Sequence, residues 1–523
     1  MAETRASNLD TWRADQAVRS STRSDFADHW LGLWGSAILI AMLLYMLIGQ
    51  QPYNHEAVLD PVTGVAPVSP INRIFWLGLF GLSAPIFWFR RGLLVETVRR
   101  LWPLILLLVW FAATTRWALD PGVSNKRLFL YVLVAAICVA VSLSVRDGHR
   151  LHATMAIACA IMVGIDLFSW VFLHGRSITP LGLAAIHTHK NTLGAVMLFC
   201  GIVCGTYLVS QKTPLGRAFW IAILLAGFAL MIASRSKTSL AIYVVAALIA
   251  PLLIAYLRSR SLTMLAVAAV GMATLGSSVF AWLVWCAVQG LDPLGPLSHV
   301  TFTMRTDVWK FSLSQWAQRP WTGWGFGSFW DIDPGVQPSL QTDEWFAKPD
   351  AYTNESHNGY IDLAVTTGLI GLIGAMAVLV RWIYRSLAMI RLSLLAPAQV
   401  DRQALPYGIY LGLFPLLFFV HNFMESSYFT ANATFGTLIL LIGIDVDLRW
   451  PERGQVGGIN SPQIVRAPSV PEHYRHDGHL DDLADRRPGN RTAKTIESHG
   501  HQDGTGCHGR GNRIGDGQRP EGL

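Results

Sequence analysis

The chain contains a long series of apolar runs, each close to the length of a membrane-spanning helix, and this series restricts its fold more than any other feature. A helix needs about 20 mostly apolar residues to cross the hydrocarbon core of a bilayer. Of the 523 residues, 52% are hydrophobic and 14% are charged, a balance that excludes an ordinary soluble domain. We therefore predict an all-α, polytopic integral membrane protein with about 12 transmembrane helices. The runs lie near residues 31–49, 74–89, 101–115, 128–145, 151–173, 192–209, 217–233, 238–257, 262–288, 359–383, 405–423 and 430–444.

Arginine and lysine recur before the first run and in every second loop after it, and this asymmetry predicts the orientation. Short cytoplasmic loops retain such cations, so both termini are predicted to be cytoplasmic. We expect the first run to act as the insertion signal, since no cleavable signal peptide is visible. The cations on the predicted cytoplasmic side include Arg19, Arg23, Arg90, Arg91, Arg146, Arg150, Lys212, Arg217, Arg258, Arg260, Arg381 and Arg385.

Composition divides the chain into three parts. Residues 1–30 are predicted to be a cytoplasmic segment, residues 31–445 the transmembrane domain, and residues 446–523 a disordered cytoplasmic tail. The outer loop at about residues 289–358 is too long for a simple connector, so we expect it to have structure of its own. The cysteines form no cluster that predicts a disulfide framework or a zinc site. We attribute the net charge of +7 to contact with anionic membrane lipid and expect no nucleic-acid partner.

Several cations fall on the outer side, where the positive-inside rule predicts few. Arginine and lysine at the outer ends of helices suit a phosphate-bearing substrate, although snorkelling to the membrane surface is the alternative for each one taken singly. Arg235 and Lys237 lie in a tight turn whose hydroxyl groups can cap the next helix, so this turn is a candidate anion site. The outward cations are Arg116, His187, His189, Lys190, Arg235, Lys237, Arg305, Arg319 and His357.

The outer loop has two features that suit a sugar substrate. Residues 303–316 predict an amphipathic helix, with Trp309 and Trp316 on an apolar face at the membrane interface. The glycine-rich turn at 320–327 would let the backbone approach a ligand closely, and Trp324 could stack on a sugar face. The alternative is an interfacial tryptophan belt with ordinary turn glycines.

At the end of this loop, Glu355-Ser356-His357-Asn358 opens the next apolar run and holds an ionisable histidine at the membrane surface. His357-Asn358 is followed after nine residues by Gly368 and after two more by Gly371. This spacing resembles the periplasmic signature of the O-antigen ligase and Wzy-type polysaccharide polymerase superfamily. The resemblance covers about residues 180–375 and is most like the ExoQ-type exopolysaccharide polymerases. Its other motifs are His189-Lys190-Asn191 with Gly194, the Ser234-Arg235-Ser236 turn, Arg305 with Trp309, and Gly323-Trp324-Gly325-Phe326-Gly327.

The resemblance implies a GT-C-like, metal-independent glycosyltransferase that needs no cofactor. It would polymerise undecaprenyl-pyrophosphate-linked repeat units into exopolysaccharide or O-antigen at the periplasmic face of the bacterial inner membrane. Its partners would be a lipid-linked glycan donor and acceptor, with chain-length regulator and export proteins as further candidates. Two alternatives remain open at this point: a ligase that transfers the glycan to a lipid or protein acceptor, and a flippase or exporter of lipid-linked oligosaccharide.

The resemblance also implies roles for particular residues. Arg235 and Arg305 would neutralise the pyrophosphate leaving group. His357 would be the catalytic base or a phosphate contact, with Glu355 as the rival base. Further substrate-binding candidates are Asn358, which would orient the site, and His189, Lys190, Asn191, Lys237, Arg116 and Trp324.

Overall fold

A computed structural model describes residues 27–55, 70–258, 302–348, 353–395, 404–430 and 433–450. The predicted run at 262–288, the segment 1–26 and the tail from residue 451 lie outside the described residues. The helices are α1 Ala27–Ile48, α2 Pro70–Phe89, α3 Leu94–Arg100, α4 Trp102–Thr114, α5 Pro121–Ser144, α6 Gly148–Phe172, α7 His174–Ser177, α8 Lys190–Leu208, α9 Pro214–Ser234, α10 Lys237–Arg258, α11 Phe302–Gln318, α12 Gly359–Leu395, α13 Ala404–His421 and α14 Thr434–Arg449.

Other regular structure in the described residues is short. Strand β1, Ile178–Thr179, pairs antiparallel with β2, Gly182–Leu183, in a small hairpin before α8. Single turns of 3-10 helix occupy Arg91–Leu93, Thr115–Trp117, Pro338–Gln341 and Trp345–Ala347.

Seven helices in the described part are long and apolar enough to cross a membrane: α1, α2, α5, α6, α8, α9 and α12. Three more of the predicted runs coincide with the shorter apolar helices Trp102–Trp117, Lys237–Ala247 and Pro406–His421. The last run coincides with α14. The all-α, multi-pass architecture is therefore confirmed.

The helices pack through close fit, because lipid chains are as apolar as the protein interior and give helices little hydrophobic reason to associate. Gly443 of α14 lies so close to the Trp382 ring of α12 that a Cβ atom there would be 2.2 Å from it. Helix α9, in contrast, exposes large apolar side chains of the kind that face lipid. These include Ile221, Leu225, Phe228 and Ile232.

Charged side chains join three segments at the end of the bundle that the sequence predicts to be cytoplasmic. Asp447 of α14 is almost inaccessible and accepts bonds from Arg381 Nε at 3.1 Å and Arg385 Nη1 at 2.6 Å. Arg381 also donates to the backbone oxygen of Arg100. In α14 itself, the Asp445 carboxylate pairs with Arg449 at 2.7 Å. These arginines are therefore fixed by buried carboxylates of the protein.

Part of the outer loop folds as expected, since α11 and the residues after it form a small apolar cluster of their own. Val308 of α11 packs there with Phe329, Trp330 and Phe346 of the loop and with Val365 of α12. The amphipathic helix predicted over residues 303–316 is thus present as α11. Its tryptophans have specific partners, because Trp309 donates to the backbone oxygen of Ser356 and Trp316 to that of Pro320.

Helix α12 is interrupted at Gly368, where the backbone adopts φ +69° and ψ −176°. The glycine-rich turn of the outer loop docks onto this interruption and exchanges backbone hydrogen bonds with it. Leu369 N–H donates to the Pro320 oxygen at 2.8 Å, and Trp324 N–H donates to the Val365 oxygen at 2.9 Å. The loop therefore supplies hydrogen bonds around the point where the helical pattern stops.

The docking corrects the expectation that the glycines of this turn face a ligand. A Cβ atom on Gly323 would lie 2.5 Å from the backbone of Thr366, and one on Gly325 would lie 2.3 Å from Ala118. Both residues have positive φ, at +65° and +102°. These two glycines are thus required for close contact with the protein itself.

We expect Gly368→Ala to destabilise the fold by about 2 kcal/mol or more, since positive φ and overpacking each cost roughly 1–3 kcal/mol. A Cβ atom at Gly368 would lie 2.1 Å from the Trp321 backbone oxygen. The measurement is the temperature at which purified protein in detergent loses its monodisperse peak in size-exclusion chromatography. Gly164→Ala is the matched control, because a Cβ atom there meets nothing within 4 Å. Equal thermal behaviour of the two variants would contradict the role of the interruption.

Candidate functional site

The four residues at 355–358 form a tight turn immediately before α12. His357 has φ +52°, a left-handed conformation that non-glycine residues rarely adopt. The side-chain oxygen of Asn358 accepts from the N–H groups of Tyr360 at 3.1 Å and Ile361 at 3.2 Å, so Asn358 caps the helix. The Asn358 side chain thus orients the turn through the backbone of α12.

Four side chains of alternating charge lie in contact beside this turn, and we call them the four-charge cluster: Arg305, Glu425, His357 and Glu355. Arg305 Nη2 is 3.3 Å from Glu425 Oε1, His357 Nδ1 is 3.5 Å from Glu425 Oε2, and the same nitrogen is 2.7 Å from Glu355 Oε1. Their side chains are between 22% and 33% exposed, so a ligand from solution can reach them.

Three elements converge to build this cluster. Arg305 comes from α11 and also donates through Nη1 to the Met424 backbone oxygen at 2.5 Å. Glu425 follows the end of α13, and Gly359 N–H donates to the Asn422 oxygen there at 2.9 Å. A Cβ atom at Gly359 would collide with the Asn422 side chain at 2.3 Å. The start of α12 and the end of α13 are therefore held in direct contact.

Asp362 in the first turn of α12 anchors the loop that carries Glu355. Its carboxylate accepts from Trp330 Nε1 at 2.9 Å and from the Ser356 N–H at 3.2 Å. Ser356 Oγ in turn donates to the Asn358 backbone oxygen at 2.8 Å. The aromatic cluster of the outer loop and the turn at 355–358 are thus connected through one carboxylate.

Opposite charges set the protonation states in the four-charge cluster. Partial burial on its own lowers the pKa of His357, but the contacts and charges of Glu355 and Glu425 outweigh it and raise the pKa to about 9. Burial raises the pKa of Glu355, and the nearby His357 partly offsets this. Burial also acts to raise the pKa of Glu425, but His357 and Arg305 outweigh it and lower that pKa. At neutral pH, His357 is therefore a cation.

A second group of predicted site residues lies where α8 begins next to the turn between α9 and α10. His189 accepts the Asn191 N–H at Nδ1, at 3.2 Å, and caps α8. The two segments touch, since a Cβ atom on Gly194 would lie 2.5 Å from Ser236 Cβ. Partial burial and the charge of Lys190 lower the pKa of His189, and Glu425 acts in the opposite direction. His189 is therefore within electrostatic reach of the four-charge cluster.

The cations of that turn lie at the surface of the protein. Arg235 adopts φ +56° at the end of α9, and its side chain and that of Lys237 are exposed. Within the described residues, no acidic side chain forms an ion pair with either of them.

Other predicted residues lie in different surroundings. The prediction that His187 is an outward cation is wrong. His187 is fully buried and its Nε2 contacts Asp166 of α6 at 3.1 Å, so it cannot contact an acceptor. The Trp324 side chain donates to the Gln315 oxygen at 2.9 Å and has the Arg319 guanidinium 4.1 Å above its ring, so both of these side-chain contacts are with residues of the outer loop. Arg116 is exposed on the 3-10 turn after α4.

The cluster also contains a possible set of metal ligands. Glu355, His357 and Glu425 each offer an atom, and these atoms lie within 4.8 Å of one another. One imidazole and two carboxylates suit a divalent transition metal. Arg305 already contacts one oxygen of Glu425, however, and His357 would have to lose its proton to bind a metal. The existing ion pairs satisfy these charges without a metal.

Sequence reasoning missed three residues that build the site: Glu425, Asp362 and Arg127. Arg127 of α5 donates to the backbone oxygens of Gly327, Trp330 and Asp331 at 2.7–2.8 Å and so holds the outer loop. For Glu425 a signal existed, since an acid follows the apolar run 405–423 on its predicted outer side. A search for outward cations alone could not find the acid that pairs with them.

Part of the chain is similar to a known protein family. Residues 220–376 match the family model Wzy_C, described as O-Antigen ligase. The matched stretch runs from α9 into α12 and includes Arg235, Arg305 and His357. No curated protein matches the chain. The match supports the resemblance to the O-antigen ligase and Wzy superfamily over residues 220–376, and a general role in polysaccharide polymerisation or ligation, in a chain with the helices of a multi-pass membrane protein.

Proposed function

We propose that the chain polymerises undecaprenyl-pyrophosphate-linked oligosaccharide repeat units at the periplasmic face of the bacterial inner membrane. The observation that supports this most directly is the four-charge cluster, which offers two cations to a pyrophosphate and a carboxylate to a sugar hydroxyl. It is partly exposed and lies directly before α12. Both termini would then be cytoplasmic, in agreement with the charge asymmetry of the loops.

In this proposal His357 and Arg305 bind the pyrophosphate of the donor. A cationic imidazole cannot accept a proton, so His357 stabilises the charge that develops on the leaving group. Glu425 now neutralises both cations, at 3.3 and 3.5 Å. The phosphate oxygens would take over some of these contacts when the donor binds.

Glu355 is the base of the proposed reaction. Its raised pKa makes it a stronger proton acceptor than an ordinary carboxylate, yet the adjacent His357 keeps part of its charge. The acceptor hydroxyl gives its proton to Glu355, and its oxygen forms a bond to the anomeric carbon of the donor. The bond from that carbon to the pyrophosphate breaks, and the electron pair leaves with the pyrophosphate.

The cations at the start of α8 and in the turn after α9 favour a polymerase over a ligase. A polymerase holds two lipid-linked glycans at once and has use for two groups of phosphate-binding cations. Arg235, Lys237 and Lys190 supply a second group, and His189 connects it electrostatically to Glu425. A ligase with a lipid or protein acceptor remains the second candidate, since the superfamily includes both activities. The flippase alternative is not supported by the family match.

His357→Gln should lower the polymerisation rate about 100-fold, the typical loss when a group that stabilises developing charge is removed. Wild-type activity should fall as the pH rises through about 9, because His357 then loses its proton. Glu425→Gln should move this fall to lower pH, since it removes an anion that raises the pKa of His357. The assay is polymer formation from lipid-linked repeat units by purified protein in detergent.

The matched control for these variants is Glu344→Gln, the same change at an exposed position of the outer loop. It should leave both the rate and the pH profile unchanged. If wild-type activity rises through pH 9 instead, His357 acts as a neutral base and the assignment to Glu355 is wrong.

Chelation provides a separate test of the metal-free reaction. The ion pairs of the cluster satisfy its charges, so we expect dialysis against EDTA to leave polymer formation unchanged. Added Mn²⁺ or Zn²⁺ should not increase it. Loss of activity on dialysis, restored by one of these ions, would identify Glu355, His357 and Glu425 as metal ligands.

Polymerase and ligase can be distinguished in cells that lack the protein. We expect such cells to retain single repeat units on the lipid carrier, because no other step joins them. The carrier-linked glycans are extracted and sized by mass spectrometry, and the wild-type gene on a plasmid is the control. Long polymer that is still carrier-linked would favour the ligase.

A further inference from the structure

A cavity of about 340 Å³ lies beside the four-charge cluster and shares Glu355 with it. Its wall also includes Arg127 of α5, Trp330 and Asp331 of the outer loop, and Asp362 of α12. Ligand sites in proteins typically enclose about 300–1,000 Å³, so this cavity is at the small end of that range. Its volume suits a single ring and is too small for an oligosaccharide.

The groups around the cavity do not favour an anionic occupant. Asp331, Glu355 and Asp362 contribute three carboxyl groups, and Arg127 is the one cation among the described lining residues. Three N–H donors of Arg127 are already used on backbone oxygens of the outer loop. A pyrophosphate in this cavity would meet more repulsion than attraction.

The polar atoms of the wall also exclude a lipid chain. An acyl or isoprenyl chain that filled the space would displace water from Asn354, Thr430 and the carboxyl groups and would offer them no hydrogen bond beyond those they form within the protein. Aromatic rings, including those of Trp330 and Tyr428, form another part of the wall. A sugar ring matches both features, since its hydroxyl groups can donate to carboxylates and its apolar face can lie against rings.

The position of Glu355 indicates whether a sugar in the cavity belongs to the donor or to the acceptor. Its Oε1 atom is 2.7 Å from His357 Nδ1, and the residue also lines the cavity. A hydroxyl group inside the cavity can therefore reach Glu355 while the pyrophosphate of the donor is at His357. The sugar that presents a hydroxyl to the base belongs to the acceptor.

We propose that this cavity binds the terminal sugar of the acceptor glycan as a neutral, uncharged ring. The inference rests on the proposed function, because it takes Glu355 as the base and the cations of the cluster as the donor's pyrophosphate site. It adds that the acceptor is recognised through a pocket that repels phosphate. Donor and acceptor are then separated by charge, with the pyrophosphate on one side of Glu355 and the sugar on the other.

The test uses full-length protein in detergent and two probes. The first probe is undecaprenyl pyrophosphate, which carries no sugar. The second is the free repeat-unit saccharide, released from the lipid carrier by mild acid, which carries no phosphate. We expect wild-type protein to bind both, and the free saccharide to inhibit polymer formation.

Asn354→Trp is the first variant, because Asn354 lies exposed at the cavity and a larger side chain there should fill it. We expect saccharide affinity to fall at least about tenfold, which corresponds to roughly 1.4 kcal/mol. Affinity for undecaprenyl pyrophosphate should stay within about twofold of wild type, a change of less than about 0.5 kcal/mol. Unchanged saccharide binding would overturn the proposal, and so would an equal loss of both probes.

A second variant tests the same proposal if Asn354→Trp fails to fold. Asp331→Asn removes one carboxylate without a change in size, and asparagine tolerates the φ of +50° at this position. It should weaken saccharide binding in the same direction, whereas Asp333→Asn, an exposed residue of the same loop outside the cavity, should not. Failure of the proposed function has a different signature: wild-type protein would bind the saccharide but not undecaprenyl pyrophosphate.

Discussion

The exchange of backbone hydrogen bonds at Gly368 is the constraint on which the outer half of the structure depends. It fixes the turn at 320–325 against α12, and the aromatic cluster that follows this turn then meets Asp362. The nine residues 359–367 of α12 separate the turn at 355–358 from Gly368, which is about 14 Å of helix at 1.5 Å per residue. The spacing of the motif is therefore the distance between the charged turn at the start of α12 and the point where the outer loop docks.

The four-charge cluster has two cations and two carboxyl groups, and this balance lets it remain partly buried. A lone cation in the same place would be costly to desolvate, whereas a cation paired with a carboxylate is not. The pairing also raises the pKa of His357, so the residue keeps the charge that a phosphate needs. Glu425 therefore holds Arg305 and His357 in place, and in the proposed reaction it would compete with the donor pyrophosphate for them.

The sequence was sufficient to predict the helices and the residues on one side of the candidate site. Span-length runs predicted the positions of α5, α6, α8 and α9, because a bilayer leaves few alternatives to apolar helices. Motif spacing located His357, and outward charge located Arg305. The sequence did not predict that His187 pairs with Asp166, since that contact joins residues from different segments inside the bundle. Glu425 lies 68 residues beyond His357, and only the packing of α13 against α12 brings them together.

The cations at the two ends of the bundle differ in their partners, and this difference bears on function. At the predicted cytoplasmic end, Arg381 and Arg385 share the buried carboxylate of Asp447, so the protein itself satisfies them. At the other end Arg235 and Lys237 are exposed, and no described acid pairs with them. Anchoring to the membrane explains cations on the cytoplasmic side but not on the outer one. Exposed cations that have no described acidic partner, at the end predicted to be outer, therefore support the proposal that the chain receives anionic lipid head groups there.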